Sequence, residues 1–241
     1  MSYFESRLLA DIDNFTEVIE KLEFCEKLGI KNVILEPKDN LNIIPLDIKN
    51  KIKNITKLNT YFRINLRLNS LVDFKKRIKK YTNFSDILSI ESFNKEVQLQ
   101  AAKDSRVDII SFSNPEIIKT LTPGVISLTR QNNSFIEFSL SSIMIKSKIE
   151  QSKNFRNLYR FIQLALQCKA DCIISGNFEF LFDLRPPRSL ISICNSLLGI
   201  PLDKAKKIFR INPVLLLERT GKRRINRLNS EIRLIKGDEE L

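Results

Sequence analysis

The chain has 241 residues, with 40 lysines and arginines against 28 aspartates and glutamates, a formal charge of +12 and no histidine. The missing imidazole excludes a Ser-His-Asp triad, a Cys-His pair, a His-ligated zinc site and a histidine general base. The length fits a single α/β barrel with a sizeable core, and the excess charge points to a polyanionic partner such as nucleic acid.

The elements predicted from hydrophobic period alternate along the chain. An uncertain first strand lies around Ser2–Leu8, and a helix over 13–28 places Phe15, Val18, Ile19, Leu22 and Cys25 on one stripe before Gly29. Asn32–Glu36 reads as a buried strand ending at Pro37, followed by a lysine-rich helix near 46–57. Asn59–Leu68 alternates Tyr61 and Arg63 against Phe62, Ile64 and Leu66, which predicts a strand with one wetter face. A helix over Asn69–Lys80 and a strand over Asp86–Ile90 come next, then a helix capped by Ser92 or Asn94 and running to Asp104. Val107–Phe112 is predicted as strand, Pro115–Leu121 as a short helix, and Phe135–Leu140 as strand. A long helix is expected over 152–168, a strand over Asp171–Ser175, a helix over Pro187–Leu198 and a last helix from Pro201 to Phe209. About seven short strands, nearly each followed by a helix, predict parallel pairing with right-handed crossovers. An irregular TIM-like (β/α) barrel over residues 1–217 is favoured over an open doubly wound sheet, because no glycine-rich phosphate loop occurs. Residues 218–241 form a basic, then acidic tail that is either disordered alone or ordered on a partner.

The first twenty residues lack the apolar core of a signal peptide, and no run of about 18 apolar residues exists, so a cytoplasmic chain without a membrane partner is expected. The four cysteines form no CxxC and read as buried structural thiols. In a parallel barrel, function gathers where strands end. Those ends carry Lys38, Asp39, Arg67 and a series of serines, including Ser92, Ser113, Ser141 and Ser175. A convergent carboxylate cluster is not expected, and Glu137, Asp171 and Asp108 are too scattered to hold a metal. The serines then serve as caps and loop hydrogen bonds.

The positive charge is concentrated. Residues 49–80 carry 11 basic and one acidic group, and residues 141–210 carry 12 basic and five acidic. Lys75, Lys76, Arg77, Lys79 and Lys80 form either a solvated helix face or a contact surface. On the helix over 152–168, Lys153, Arg156 and Arg160 share an outer face with no carboxylate among them, which is either solvated or a phosphate contact. Arg185 and Arg188 flank Pro186 and Pro187 at a helix start, where a stiff backbone and the helix N-terminus favour an anion. The competing reading has Asp183 neutralising one of them. Phenylalanines sit mainly in core-like positions, so a stacking platform for single-stranded bases is not expected. The electrostatics suit the backbone of a structured RNA.

The series Ser105–Phe112, Ile136–Leu140, the basic helix around Arg156 and Arg160, Ile173–Gly176, Asp183–Arg188 and Leu197–Ile200 through Pro213 resembles archaeal ribonuclease P protein component 3, the relative of the eukaryotic 30-kilodalton subunit. The likeness is best over 86–217. It implies a barrel related to the polymerase-and-histidinol-phosphatase metallohydrolases but without their metal ligands, and hence no catalytic residue, no metal and no cofactor held by the protein. It implies a place in the ribonuclease P holoenzyme, an endonuclease of tRNA processing that removes 5′ leaders from precursor tRNA, with the RNA subunit and its magnesium ions cleaving the phosphodiester. The implied partners are the ribonuclease P RNA, precursor tRNA, protein component 2 and the other holoenzyme proteins. Arg106, Arg185 and Arg188 match basic or motif positions of that family, and Arg156 and Arg160 match its basic helix; with Arg67 and Lys153 they make up the expected RNA-binding set. The alternative is a stand-alone barrel phosphoesterase that binds metal through carboxylates alone.

Overall fold

The computed structural model describes residues 2–82 and 84–223. Its seven strands are β1 (Phe4–Ala10), β2 (Asn32–Pro37), β3 (Asn59–Arg67), β4 (Ile87–Glu91), β5 (Ile109–Phe112), β6 (Phe135–Ser139) and β7 (Cys172–Ser175). They lie side by side in chain order, and every neighbouring pair is parallel. Helices α1 (Phe15–Lys27), α2 (Leu46–Asn54), α3 (Leu71–Ile78), α4 (Lys95–Lys103), α5 (Pro123–Gln131), α6 (Lys148–Gln167), α7 (Pro187–Ser196) and α8 (Leu202–Arg210) surround this sheet. The expected irregular (β/α) barrel of seven strands is therefore present.

The local signals explain most boundaries. The side chains of Asn14, Ser70, Asn94 and Ser147 accept hydrogen bonds from the first turns of α1, α3, α4 and α6. Helix α5 is an addition to the expected elements, although Thr122 caps it and Pro123 occupies its first turn. The predicted helix over 115–121 is instead a single 3-10 segment, Ile117–Thr120, leading into it.

A ninth helix, α9, covers 212–223 and crosses the position 217 at which the barrel was expected to end. Leu216 on α9 is fully buried against Ile34, Ile87, Ile109, Phe135 and Ile173, inward residues near the starts of five strands. Arg219 and Arg223 extend this plug. Both meet the buried carboxylate of Asp108, at 3.3 and 3.1 Å, and they donate to the carbonyls of Asp86, Ser105 and Val107 at the strand entrances. Burial pushes the Asp108 carboxyl up, and the two arginines oppose that shift. The tail expectation for 224–241 lies outside the described residues.

Apolar packing forms two compartments. Outward residues such as Leu35, Phe62, Leu66, Ile110, Phe138 and Ile174 pack beneath the helices in one large core. The small floor closed by Leu216 is the other, and the barrel interior above it is polar. Among the described residues no strand ladder joins β7 to β1. That seam is bridged by Glu5, whose carboxylate accepts from the backbone N–H of Gly176 at 3.0 Å and of Arg7 at 3.1 Å. A Cβ at Gly176 would stand 2.8 Å from Glu5 Oε2 and 2.7 Å from the Phe178 ring, so only glycine fits the seam.

Two expectations follow. Leu216→Ala should lower unfolding free energy by about 2–5 kcal/mol, measured by urea denaturation, whereas Leu197→Ala, at 53% exposure, should change it by about 0.5 kcal/mol or less. Burial, opposed by the two N–H donors and aided by Glu137, raises Glu5 from 4.5 to about 7. The native state then holds a proton that the unfolded chain has released, so stability should fall as pH rises from about 4.5 to 7 and level off above, a loss of roughly 3 kcal/mol in all. With no histidine to titrate in that window, thermal melts from pH 5 to 8 should show this slope in the native chain and a flattened one in Glu5→Gln.

Candidate nucleic-acid interface

Side-chain parity builds the barrel interior in layers. The inward residues of β4 run Ile87, Ser89, Glu91, and those of β6 run Phe135, Glu137, Ser139; β3 sends in Tyr61, Arg63 and Asn65. The face of β3 expected to be wetter is in fact this interior, since Arg63 is completely buried. A parallel barrel is ordinarily filled by branched aliphatic layers. Here the layer above the floor is ionic.

Arg63 grips Glu137 with both terminal nitrogens, at 2.8 and 2.9 Å, and its Nε lies 2.8 Å from Glu36 Oε2. That last contact is ionic only, because its angle is wrong for a hydrogen bond. Arg7 donates to Glu36 at 2.7 Å and lies 3.6 Å from Glu137 and 3.9 Å from Glu91. Hydroxyls and an amide connect the charges. Ser111 and Ser113 accept from Arg7 and donate to Glu137 and Glu91, each carboxylate contact being 2.8 Å. Ser89 accepts from Arg63 and donates to Asn65, whose amide donates to Glu91 at 2.9 Å. Burial alone would push Glu137 up, but Arg63 and Arg7 outweigh it and hold the carboxyl at about 2. Burial likewise works against the Arg7 charge, and Glu36, Glu137 and Glu91 reverse that effect and raise it.

Carboxylates therefore do converge, contrary to expectation. Glu36, Glu91 and Glu137 meet inside the barrel, but on two guanidiniums. Asp108 sits in the floor, and Asp171 is an exposed partner of Lys207 at 3.2 Å. Neither Arg7 nor Arg63 is among the functional residues expected from the sequence. The available signal is that, along β3, β4 and β6, an inward apolar or aromatic residue is followed at the next inward positions by charged and polar ones. A second acidic group, Asp11, Asp13 and Asp39, lies at the rim beyond β1 and β2. It is largely exposed, and nothing further in the structure marks it as a cation site. Three of the four thiols are buried as expected. Cys25, Cys172 and Cys194 are buried and unpaired, and burial pushes the last two up to about 12, whereas Cys168, just after α6, is only half-buried.

Over the ionic layer opens a cavity of about 590 Å³ at the C-terminal end of the barrel, lined by Arg7, Arg67, Asn69, Glu91, Ser92, Phe93, Asn114 and Asn177 among others. Arg67 stands at its edge with a 56% exposed side chain, and its Nε is 3.5 Å from Glu91. The expected RNA-binding residues do not form one patch. Arg106 precedes β5, so it lies at the opposite end of the barrel from Arg67. Its guanidinium is committed to Asp104, at 2.8 and 2.6 Å. Lys153, Arg156 and Arg160 are exposed on α6 and make no ion pair among the described residues. Arg160 stacks over the Phe161 ring at 5.7 Å. Arg185 is half-buried, with its guanidinium on the carbonyls of Leu184 and Phe182, whereas Arg188 is exposed in the first turn of α7. Asp183 pairs with neither arginine among the described residues. Lys75, Lys76, Lys79 and Lys80 are exposed as a further basic face, while Arg77 donates to Asn42 at 3.2 Å. No described helix is long and apolar enough to cross a membrane.

Comparison with known proteins places these features. The model of the RNase P subunit p30 family matches residues 10–225. Ribonuclease P protein component 3 of Methanococcoides burtonii is 20% identical over 142 residues, which cover 59% of this chain and 58% of that relative. The match thus spans less than two thirds of the relative's length. Among solved structures, a chain of archaeal ribonuclease P with mature tRNA, determined by cryo-EM, superposes with a TM-score of 0.71 at 17% identity, covering 91% of this chain and 90% of that one. A. niger ochratoxinase superposes at 0.60 with 9% identity, covering 90% and 71%. These two are likenesses of fold. The family match runs from the last residue of β1 through α9 and takes in residues 10–85, part of the region where the sequence likeness is vaguest; the chain belongs to the RNase P subunit p30 family.

Proposed function

We propose that this chain is a protein subunit of ribonuclease P that supports the catalytic RNA in removing 5′ leaders from precursor tRNA and is not itself the catalyst. Magnesium ions held by the RNA then supply the phosphodiester chemistry. The observation that carries this reading is the state of the barrel interior. The fold is shared with hydrolases, yet Glu36, Glu91 and Glu137 are each held by Arg7 or Arg63. A cation drawn to those oxygens would have to displace two buried guanidiniums. The alternative of a carboxylate-only phosphoesterase loses its ligands to those ion pairs.

The outer surface supports the RNA side of the proposal. Arg156, Arg160 and Arg188 project from helices without carboxylate partners among the described residues, and Lys153 is exposed with only Glu116 acting on it from a distance, so their charge is available to replace counterions along an RNA backbone. Arg185 holds the loop before α7 through main-chain carbonyls and so positions Arg188 in addition to adding charge. Arg67 keeps an exposed guanidinium beside one carboxylate. Arg106 is the weakest member of the set, because Asp104 already satisfies it. Pairing with component 2 and the other holoenzyme proteins belongs to the same proposal and draws its support from the family alone.

Reconstituted cleavage of precursor tRNA, with and without this chain across a magnesium titration, should show a lower magnesium requirement when the chain is present. Reversing Arg188 together with Arg156 to glutamate should weaken binding to the catalytic RNA. The slope of log affinity against log salt should become shallower by about 0.7–0.9 for each phosphate that is no longer neutralised. The melting temperature should stay within about a degree or two of the native value, since both side chains are exposed. Unchanged affinity and slope at every salt concentration would remove these residues from the interface.

A further inference from the structure

From the cavity at the C-terminal end of the barrel we infer a binding site for a single nucleobase, with the phosphate next to it resting on Arg67. The inference rests on the RNA-binding reading above and adds a site to it. Three observations carry it. First, the charge in the cavity floor is already neutralised. Arg7 faces Glu36, Glu137 and Glu91, so a bare anion finds no uncancelled positive charge deep in the pocket, whereas a neutral planar group meets no repulsion. Second, polar atoms around the cavity lack partners. Arg7 Nε and Asn177 Oδ1, on two residues that line the cavity, are buried without a hydrogen bond, one a donor and the other an acceptor. The exposed Asn114 at the cavity edge uses its side-chain oxygen to cap the following turn, at 2.8 and 3.4 Å, and its amide nitrogen faces solvent rather than a buried partner. Unmet buried polar atoms are rare in native folds and ask for a ligand or ordered water. A nucleobase edge presents this mixture of donors and acceptors.

Third, Phe93 lines the cavity and is 56% exposed, an apolar ring left at the rim of a polar pocket. It follows β4, one residue beyond the buried Ser92, and offers a face on which a base can stack. The volume of about 590 Å³ lies within the range of small-ligand clefts, about 300–1,000 Å³. Arg67, on the neighbouring strand, keeps an exposed guanidinium for the phosphate that accompanies the base. A deep phosphate site fits less well, because it would leave Phe93 without a role and would place an anion beside Glu91. The expectation that no stacking platform exists rests on phenylalanines in core-like positions, and Phe93, exposed at a preformed cavity, is outside that pattern.

The base has two possible sources, an unpaired nucleotide of the bound RNA or a free mononucleotide, and both are tested on the full chain. Phe93→Ala should weaken binding to the catalytic RNA about 5- to 100-fold, with the log–log salt slope unchanged because the same phosphates stay neutralised. Phe93→Tyr should restore affinity. In parallel, adenosine, cytidine, guanosine and uridine 5′-monophosphates are titrated against the chain labelled at phenylalanine, and the Phe93 ring resonances are followed by NMR. Ring shifts with the RNA alone assign the site to an RNA nucleotide, and shifts with a monophosphate assign it to a free nucleotide. Native affinity in Phe93→Ala, together with no Phe93 shift under either titration, would overturn the site while leaving the RNA-binding reading intact. Shifts with monophosphates in a chain that binds no RNA at low salt would overturn the RNA-binding reading and leave the site.

Discussion

Arg7 and Arg63, buried inside a seven-stranded barrel, set the conditions that the other elements must meet. Each guanidinium presents five N–H donors, and a dehydrated one is tolerated only when paired and well hydrogen-bonded. The surrounding strands answer with Glu36, Glu91 and Glu137 for charge and with Ser89, Ser111 and Ser113 for the remaining lone pairs and protons. Because the strands are parallel and side chains alternate, these groups enter at similar heights only if the register across β2 to β6 is held. The ionic layer therefore depends on the strand pairing and, being intolerant of a one-residue slip, also enforces it.

The same layer accounts for the two kinds of closure in the barrel. Below it, an apolar floor needs a plug that excludes water from the ion pairs, and α9 supplies Leu216 with Arg219 and Arg223. At the side, Glu5 replaces missing strand pairing between β7 and β1. Its carboxyl is raised to about 7 whereas Glu137 is held at about 2, because Glu137 lies between two arginines and Glu5 meets mainly backbone donors. Two buried carboxyl groups in one barrel thus differ by the company they keep more than by their depth.

Much of the architecture is legible in the residues. Short apolar runs separated by helical periods identify β2 to β7, and asparagine and serine caps place several helix starts. The first strand is harder to see, since FESRLLA puts Glu5 and Arg7 into what becomes an interior face. Thr122-Pro123 is a readable helix start, but the apolar run just before it competes for the same helical period. Arg63 reads by polarity as facing solvent. Polarity cannot distinguish water from an ionic interior, because what decides is the charge supplied by other strands tens of residues away. The surface arginines fare differently. Arg156, Arg160 and Arg188 are exposed as the local pattern implies, whereas Arg106 is claimed by Asp104, two positions earlier, a pairing visible in the sequence.

The interior also bears on how a barrel can keep three buried carboxylates closed to a cation. Removing either arginine leaves buried carboxylates uncompensated, a change that typically costs about 3–5 kcal/mol, and a domain's whole stability is only about 5–15 kcal/mol. Restoring an open metal site would require losing both guanidiniums while a cation arrives to replace their charge, so no single substitution leads there through a stable protein. Adding positive charge to the outer helices disturbs none of these contacts, because α3 and α6 present their lysines and arginines to solvent on the far side of the apolar layer. The ionic core and the basic surface are separated by that layer, which frees the surface to change while the core stays locked.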